Sequence, residues 1–194
     1  MPGGNTDKGL GAKKNEIYLS LQNSTQYIDW WHEPVPGEDF DHEGSLFSFI
    51  LHPGVIYGLS NKINIYASST FGIRTMDWFG TNHSVHHRDE DSNNDFRNAN
   101  GGMLGDSKII MRYLQKNTGA GDGYRIIIGG GIVIPSKNTI TINPFLATDG
   151  EYPPHRHFSM TNGTYNYVSD LQVYYKRSSN PVFYGGSFSI EKPF

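Results

Sequence analysis

Apolar and polar residues alternate one by one through several stretches of this chain, and that period of two constrains the fold more than any other feature. In 62–77 the odd positions Ile63, Ile65, Ala67, Phe71 and Ile73 are apolar, while Lys62, Asn64, Ser68, Thr70 and Arg74 alternate with them. Successive side chains of a β-strand point to opposite faces, so this stretch reads as a strand with one apolar and one polar side. In 123–134, Tyr124, Ile126, Ile128, Ile132 and Ile134 make a uniformly apolar side, opposite one that mixes Arg125, Gly129 and Gly131 with Ile127 and Val133. In 164–176, Tyr165, Tyr167, Leu171, Val173 and Tyr175 alternate with Asn166, Asp170, Gln172 and Lys176, which puts aromatics near both ends of the apolar side. Segments 16–28, 45–57, 105–116 and 182–190 alternate less regularly and bring the expected number of strands to seven. Pro53-Gly54 is expected to bend or bulge the second of them. No stretch holds a 3.6-residue apolar period, and none approaches the roughly 20 apolar residues of a membrane-spanning helix.

The connections alternate in length. Residues 58–61, 117–122 and 177–181 are short turns, whereas 31–44, about 80–104 and 135–163 are long and rich in Asn, Asp, His, Gly and Pro. Short turns therefore fall at one end of the strands and long loops at the other, as in barrels with short periplasmic turns and long extracellular loops. The aromatics that bracket the apolar side match the girdles of such barrels. The expected fold is all-β: an antiparallel up-and-down transmembrane β-barrel, complete or partial, over residues 15–194, with residues 1–14 as a flexible Gly-rich lead-in. Single-chain bacterial barrels normally use an even number of strands, so an odd count means either a strand that escapes the pattern or a piece of a longer barrel. Residues 1–11 lack the charged start and apolar run of an export signal, which a protein of the bacterial outer membrane must have carried. A soluble, exported β-sandwich that binds metal or carbohydrate through its long loops is the alternative.

Composition narrows the partners. The net charge is −3, with no clustered run of Lys and Arg, so there is no concentrated basic face for a phosphate backbone and nucleic acid is excluded. The chain has no Cys, which removes disulfides and thiolate chemistry. In a barrel, the polar strand faces would line the lumen with Lys62, Arg74, Asp106, Lys108, Arg112, Arg125, Asp170 and Lys176. Both signs are present, as suits a narrow, internally paired lumen better than a strongly ion-selective pore. Gly129, Gly130 and Gly131 would leave space in the wall or lumen, or mark a bend.

Seven of the eight His residues fall in the long connections: His32, His42, His83, His86, His87, His155 and His157, with His52 in a strand. His83-x-x-His86-His87 beside Asp89, Glu90 and Asp91, together with His155-x-His157, offers donors for a loop-bound divalent metal, since neutral imidazole is the commonest ligand for Zn, Cu and Ni. Solvated or hydrogen-bonded loop histidines are the plainer reading. His155-x-His157 also has the spacing of a cupin metal pair, but Thr161 and Asn162 stand where a cupin needs Glu. There is no Gly-x-Ser-x-Gly elbow, no phosphate-cradling Gly-Lys-Ser/Thr loop and no His-Glu-x-x-His pair, so no enzymatic activity is expected. The carboxylates Glu38, Asp39 and Asp41 could serve calcium or acid–base work, or simply be solvated. Trp30-Trp31 and Trp78, at strand ends beside long loops, suit anchoring at a membrane interface, or else filling a soluble core.

Three stretches in order bear on family. Val55-Ile56-Tyr57-Gly58-Leu59-Ser60-Asn61 leading into Lys62-Ile63-Asn64-Ile65 is a Tyr-Gly-Leu turn followed by an amphipathic strand. Gly102-Met103-Leu104-Gly105-Asp106-Ser107-Lys108-Ile109 is a Gly-rich strand start ending in Asp, and Tyr124 to Pro135 is a strand closed by Pro before a long loop. Together they resemble the outer-membrane barrel family named for the MetA pathway of phenol degradation, a relative of the fatty-acid and aromatic-hydrocarbon barrel transporters. Pro135 is followed by Ser136-Lys137-Asn138 where that family has a Thr-Gly pair, and its chains are longer. The resemblance implies a non-enzymatic channel or transporter in the outer membrane, with lipid around it and small apolar or aromatic molecules as its solutes. It carries no catalytic residues and no cofactor. A barrel that only anchors its surface loops is a further possibility.

Overall fold

The computed structural model describes residues 11–82, 84, 87, 89–91, 103–118, 121–137, 139, 158–177 and 182–194. Its strands are β1 (Ile17–His32), β2 (His42–Gly58), β3 (Ile63–Trp78), the short β4 (Glu90–Asp91), β5 (Leu104–Asn117), β6 (Gly123–Ile134), β7 (Asn166–Arg177) and β8 (Val182–Pro193). They form one antiparallel sheet in the order β1-β2-β3-β5-β6-β7-β8, with β4 added beside β3, so each long strand pairs with the next in the chain. The protein is therefore all-β and up-and-down, as its alternation requires, and the sheet curls into a half-barrel. Among the described residues no helix is long and apolar enough to cross a membrane.

The short turns set the register. At the β2–β3 turn the Ser60 hydroxyl accepts the N–H groups of Lys62 and Ile63 at 3.1 and 2.9 Å, and the Ser60 N–H donates to the Ile63 carbonyl at 3.1 Å. At the β5–β6 turn Thr118 donates its N–H and its hydroxyl to the Tyr124 carbonyl, while Gly121 supplies the left-handed φ of +98° that reverses the chain. From these turns one row of side chains runs unbroken across the sheet: Ile17, Tyr57, Ile65, Met111, Gly130, Ser169 and Ile190. Pro53 does not bulge β2. The β2–β3 ladder lapses at His52 and Pro53, yet Leu51↔Phe71 and Gly54↔Ser68 keep one register, because Pro withholds an N–H without inserting a residue. The register shifts lie elsewhere, between Ser69 and Phe71 against β5 and between Leu114 and Lys116 against β6.

The convex face carries the apolar residues. Leu19 is 82% exposed and Met111 55%, and Leu21, Ile109, Ile128, Ile132, Leu171, Val173, Phe188 and Ile190 are exposed with them. Tyr57, Tyr113, Tyr124 and Tyr184 are exposed towards the short-turn end, and Tyr27, Trp31, Phe47, Tyr165, Tyr167 and Phe194 towards the long-loop end. The buried apolar cluster lies on the concave face, where Ile110, Val133 and Val168 pack against Tyr66.

Residues 11–14, expected to be part of a flexible lead-in, are tied to the concave side of the short-turn end. Asn64 reaches both backbone groups of buried Ala12, accepting its N–H at 3.1 Å and donating to its carbonyl at 2.8 Å. Asn15, at φ +66°, then turns the chain into β1 and donates its N–H to the Gly58 carbonyl at 2.7 Å. Asn64→Ala leaves both Ala12 groups without that partner, a cost of about 1–3 kcal/mol. Tryptic cleavage after Lys13 and Lys14 is expected to accelerate in the variant; unchanged cleavage would mean that the contacts to Gly58 and Asn61 hold the segment without Asn64.

Candidate functional site

Seven of the eight residues expected to line a lumen fall on one side. Arg74, Asp106, Lys108, Arg112, Arg125, Asp170 and Lys176 lie in strands at positions that alternate with the convex apolar residues, so their side chains belong to the concave face. Lys62 is the exception in placement: it is exposed in the β2–β3 turn, beside the cleft that holds residues 11–13.

Two ion pairs on this face join different strands. Arg112, Gly129 and Asp170 stand side by side in register on β5, β6 and β7, and the Arg112 Nε donates to the Asp170 Oδ2 at 2.6 Å. Gly129 makes this possible. A Cβ there would lie 3.1 Å from Arg112 Cγ and 3.2 Å from Asp170 Cβ, so a side chain would press on both members of the pair. Gln172, fully buried, donates to the same Asp170 oxygen at 3.0 Å, and the Arg112 guanidinium lies 4.8 Å from the Tyr66 ring centre. Lys108 on β5 pairs with Glu191 on β8, reaching over two intervening strands. Glu191 went unnoticed in the sequence because β8 alternates weakly and its apolar pattern stops short of that residue.

Between these pairs lies an open cleft of about 430 Å³, walled by Gln22 and His52 at one side and by Ser189 and Glu191 at the other. Both ends are narrowed by chain that folds inward. Residues 11–14 occupy the short-turn end. At the long-loop end buried Phe158 and Thr161 lie over the sheet, and Arg74 donates to the Ser159 carbonyl at 3.3 Å.

The second constellation sits at the long-loop end. Trp30, Gly44 and Trp78 are in register on β1, β2 and β3, and a Cβ on Gly44 would come within 2.6 Å of the Trp30 ring. The missing side chain lets the two indoles stack, with centroids 6.2 Å apart. Both therefore turn to the concave side, and of the three tryptophans expected at a membrane interface only Trp31 is exposed on the convex face. His32 and His42 pair at the ends of β1 and β2, and His87 enters from the β3–β5 connection, its ring 4.4 Å from Trp30 and 5.5 Å from Trp78 between centroids. His42 and His87 are buried. Of the histidines expected to bind metal, His87 alone is in this cluster; His83, His86, His155 and His157 lie outside the described residues. His32 and His42 were grouped in the sequence with the loop histidines but not with the metal set, since no local spacing joins residues so far apart.

Arg112→Ala would strand the Asp170 carboxylate in a buried position, at a cost of about 3–5 kcal/mol. The urea midpoint should fall steeply in that variant and recover in part when Asp170→Leu is added; equal midpoints in wild type and Arg112→Ala would mean the pair is solvated. Compared with known proteins, the chain matches no family model, no curated protein and no solved structure.

Proposed function

We propose that the chain forms the wall of an outer-membrane β-barrel, a non-enzymatic channel or transporter whose convex face meets lipid and whose concave face lines the passage. The observation that carries this reading is the inverted distribution of side chains. A water-soluble sheet buries its apolar face and exposes its polar one, whereas here Leu19, Met111, Ile128 and Phe188 are exposed while Arg112, Asp170 and Gln172 are buried. The aromatic rows support it. Along β7, Tyr167 and Tyr175 are separated by eight residue steps, about 27 Å of strand and roughly 20 Å of height at the usual barrel tilt, close to the apolar band of an outer-membrane barrel at about 25 Å.

The concave face favours small solutes. It carries both signs, with two ion pairs among them, rather than a single-sign field to select ions, and the inward-folded segments at both ends narrow the way through. Passage of apolar or aromatic compounds in particular is what the family resemblance adds. In lipid, every backbone amide needs a partner, so the outer edges of β1 and β8, unpaired among the described residues, would be closed by pairing with further strands or with a second copy.

Ile128→Arg places a charge on the convex face near mid-strand, at a cost of about 2–4 kcal/mol if that face meets hydrocarbon. Unboiled wild-type protein extracted in detergent should migrate differently in SDS gels from boiled protein, and Ile128→Arg should lose the shift. A wild type that is soluble without detergent and shows no shift would overturn the membrane reading, and solute flux in liposomes separates transport from anchoring.

A further inference from the structure

We infer that His32, His42 and His87 form a binding site for one transition-metal dication of the zinc, copper or nickel class, at the long-loop mouth of the concave face. One ring nitrogen from each of the three residues lies within 4.8 Å of the other two, and the Nε2 atoms of His32 and His87 are 3.1 Å apart. Ligand nitrogens around a four-coordinate zinc, at bond lengths of about 2.0–2.1 Å, stand about 3.4 Å from one another, so the widest separation here needs to close by at most about 1.4 Å. The donor set is all imidazole, with neither the thiolates of a structural zinc knuckle nor the oxygens that calcium and magnesium require.

The surroundings supply the outer contacts that such ligands need. His32 directs Nδ1 to the Glu33 carbonyl at 2.7 Å; with the proton on that nitrogen, the Nε2 lone pair faces His87. The Glu38 carboxylate sits 2.5 Å from His42 Nε2. Ser84 donates its hydroxyl to that carboxylate at 3.2 Å and accepts the backbone N–H of His87 at 3.3 Å, so Ser84 links the carboxylate beside His42 to the backbone of His87. Trp30, Trp78 and Phe40 wall the cluster with their rings, which keeps the ligands on few rotamers. The three histidines come from the end of β1, the start of β2 and the chain between β3 and β4, so a bound ion would tie His87 to the ends of β1 and β2.

The site is tested with purified protein, stripped by a chelator and titrated with Co²⁺ alone. One equivalent should bind with the visible absorption of a nitrogen-ligated, low-coordinate cobalt, and Zn²⁺ should displace it. His87→Gln and His32→Gln should each abolish that spectrum, and Glu38→Gln should weaken binding about 10-fold or more. Because His42→Gln removes a fully buried ring and could unfold the mouth, the half-buried His32 provides the deciding variant. No stoichiometric uptake, or uptake that survives in both His32→Gln and His87→Gln, would overturn the site. The titration runs equally in detergent or in buffer, so its failure would leave the barrel reading where it stands.

Discussion

Register is the constraint on which everything else in this molecule depends. Seven strands keep a common alternation from β1 to β8, so that Ile17, Tyr57, Ile65, Met111 and Ile190 fall in one convex row and Tyr18, Ile56, Tyr66, Ile110, Val168 and Glu191 in the concave row beside it. A slip of one residue in any strand would exchange its faces and bring leucines and isoleucines against Arg112 and Asp170. The short turns prevent that slip. Where the pairing is irregular, at Ser69–Phe71 and Leu114–Lys116, the parity of β5 changes, so that Leu104 pairs with convex Phe71 and Lys116 with convex Ile126.

Once the charges are gathered on the concave face, their own energetics shape it. A buried guanidinium or carboxylate is tolerable only when paired and hydrogen-bonded, and the Arg112–Asp170 contact with Gln172 meets that condition. Two glycines do comparable work at opposite ends of the sheet. Gly129 vacates the position between Arg112 and Asp170, and Gly44 vacates the position between Trp30 and Trp78. In each case the absence of one side chain lets larger groups on the flanking strands meet over the middle strand. That is a property of three adjacent strands and of no segment by itself.

The two faces ask opposite things of their surroundings. The convex face is continuous, apolar and edged with tyrosines, and demands a hydrocarbon or protein covering; the concave face is polar and closes on itself through ion pairs and inward-folded segments. The histidine cluster belongs to the second. It joins the end of β1 and the start of β2 to His87, at the long-loop end of that face.

Much of this architecture was legible from residue order. The seven strands, their antiparallel succession, the division into short-turn and long-loop ends and the side on which seven of the eight expected charges fall all follow from a period of two and from turn chemistry, which are local properties. Composition alone does not show that Ala12, within the expected lead-in, takes its backbone hydrogen bonds from a side chain 52 residues away. Tertiary structure alone decided which charges pair, that Glu191 answers Lys108, that Trp30 and Trp78 turn inward, and that His87 meets His32 and His42. The physical reason is the same each time. Alternation assigns a side chain to a face, but its partner on that face is set by cross-strand register and by where the long connections come to rest, and neither is written in the spacing of any one segment.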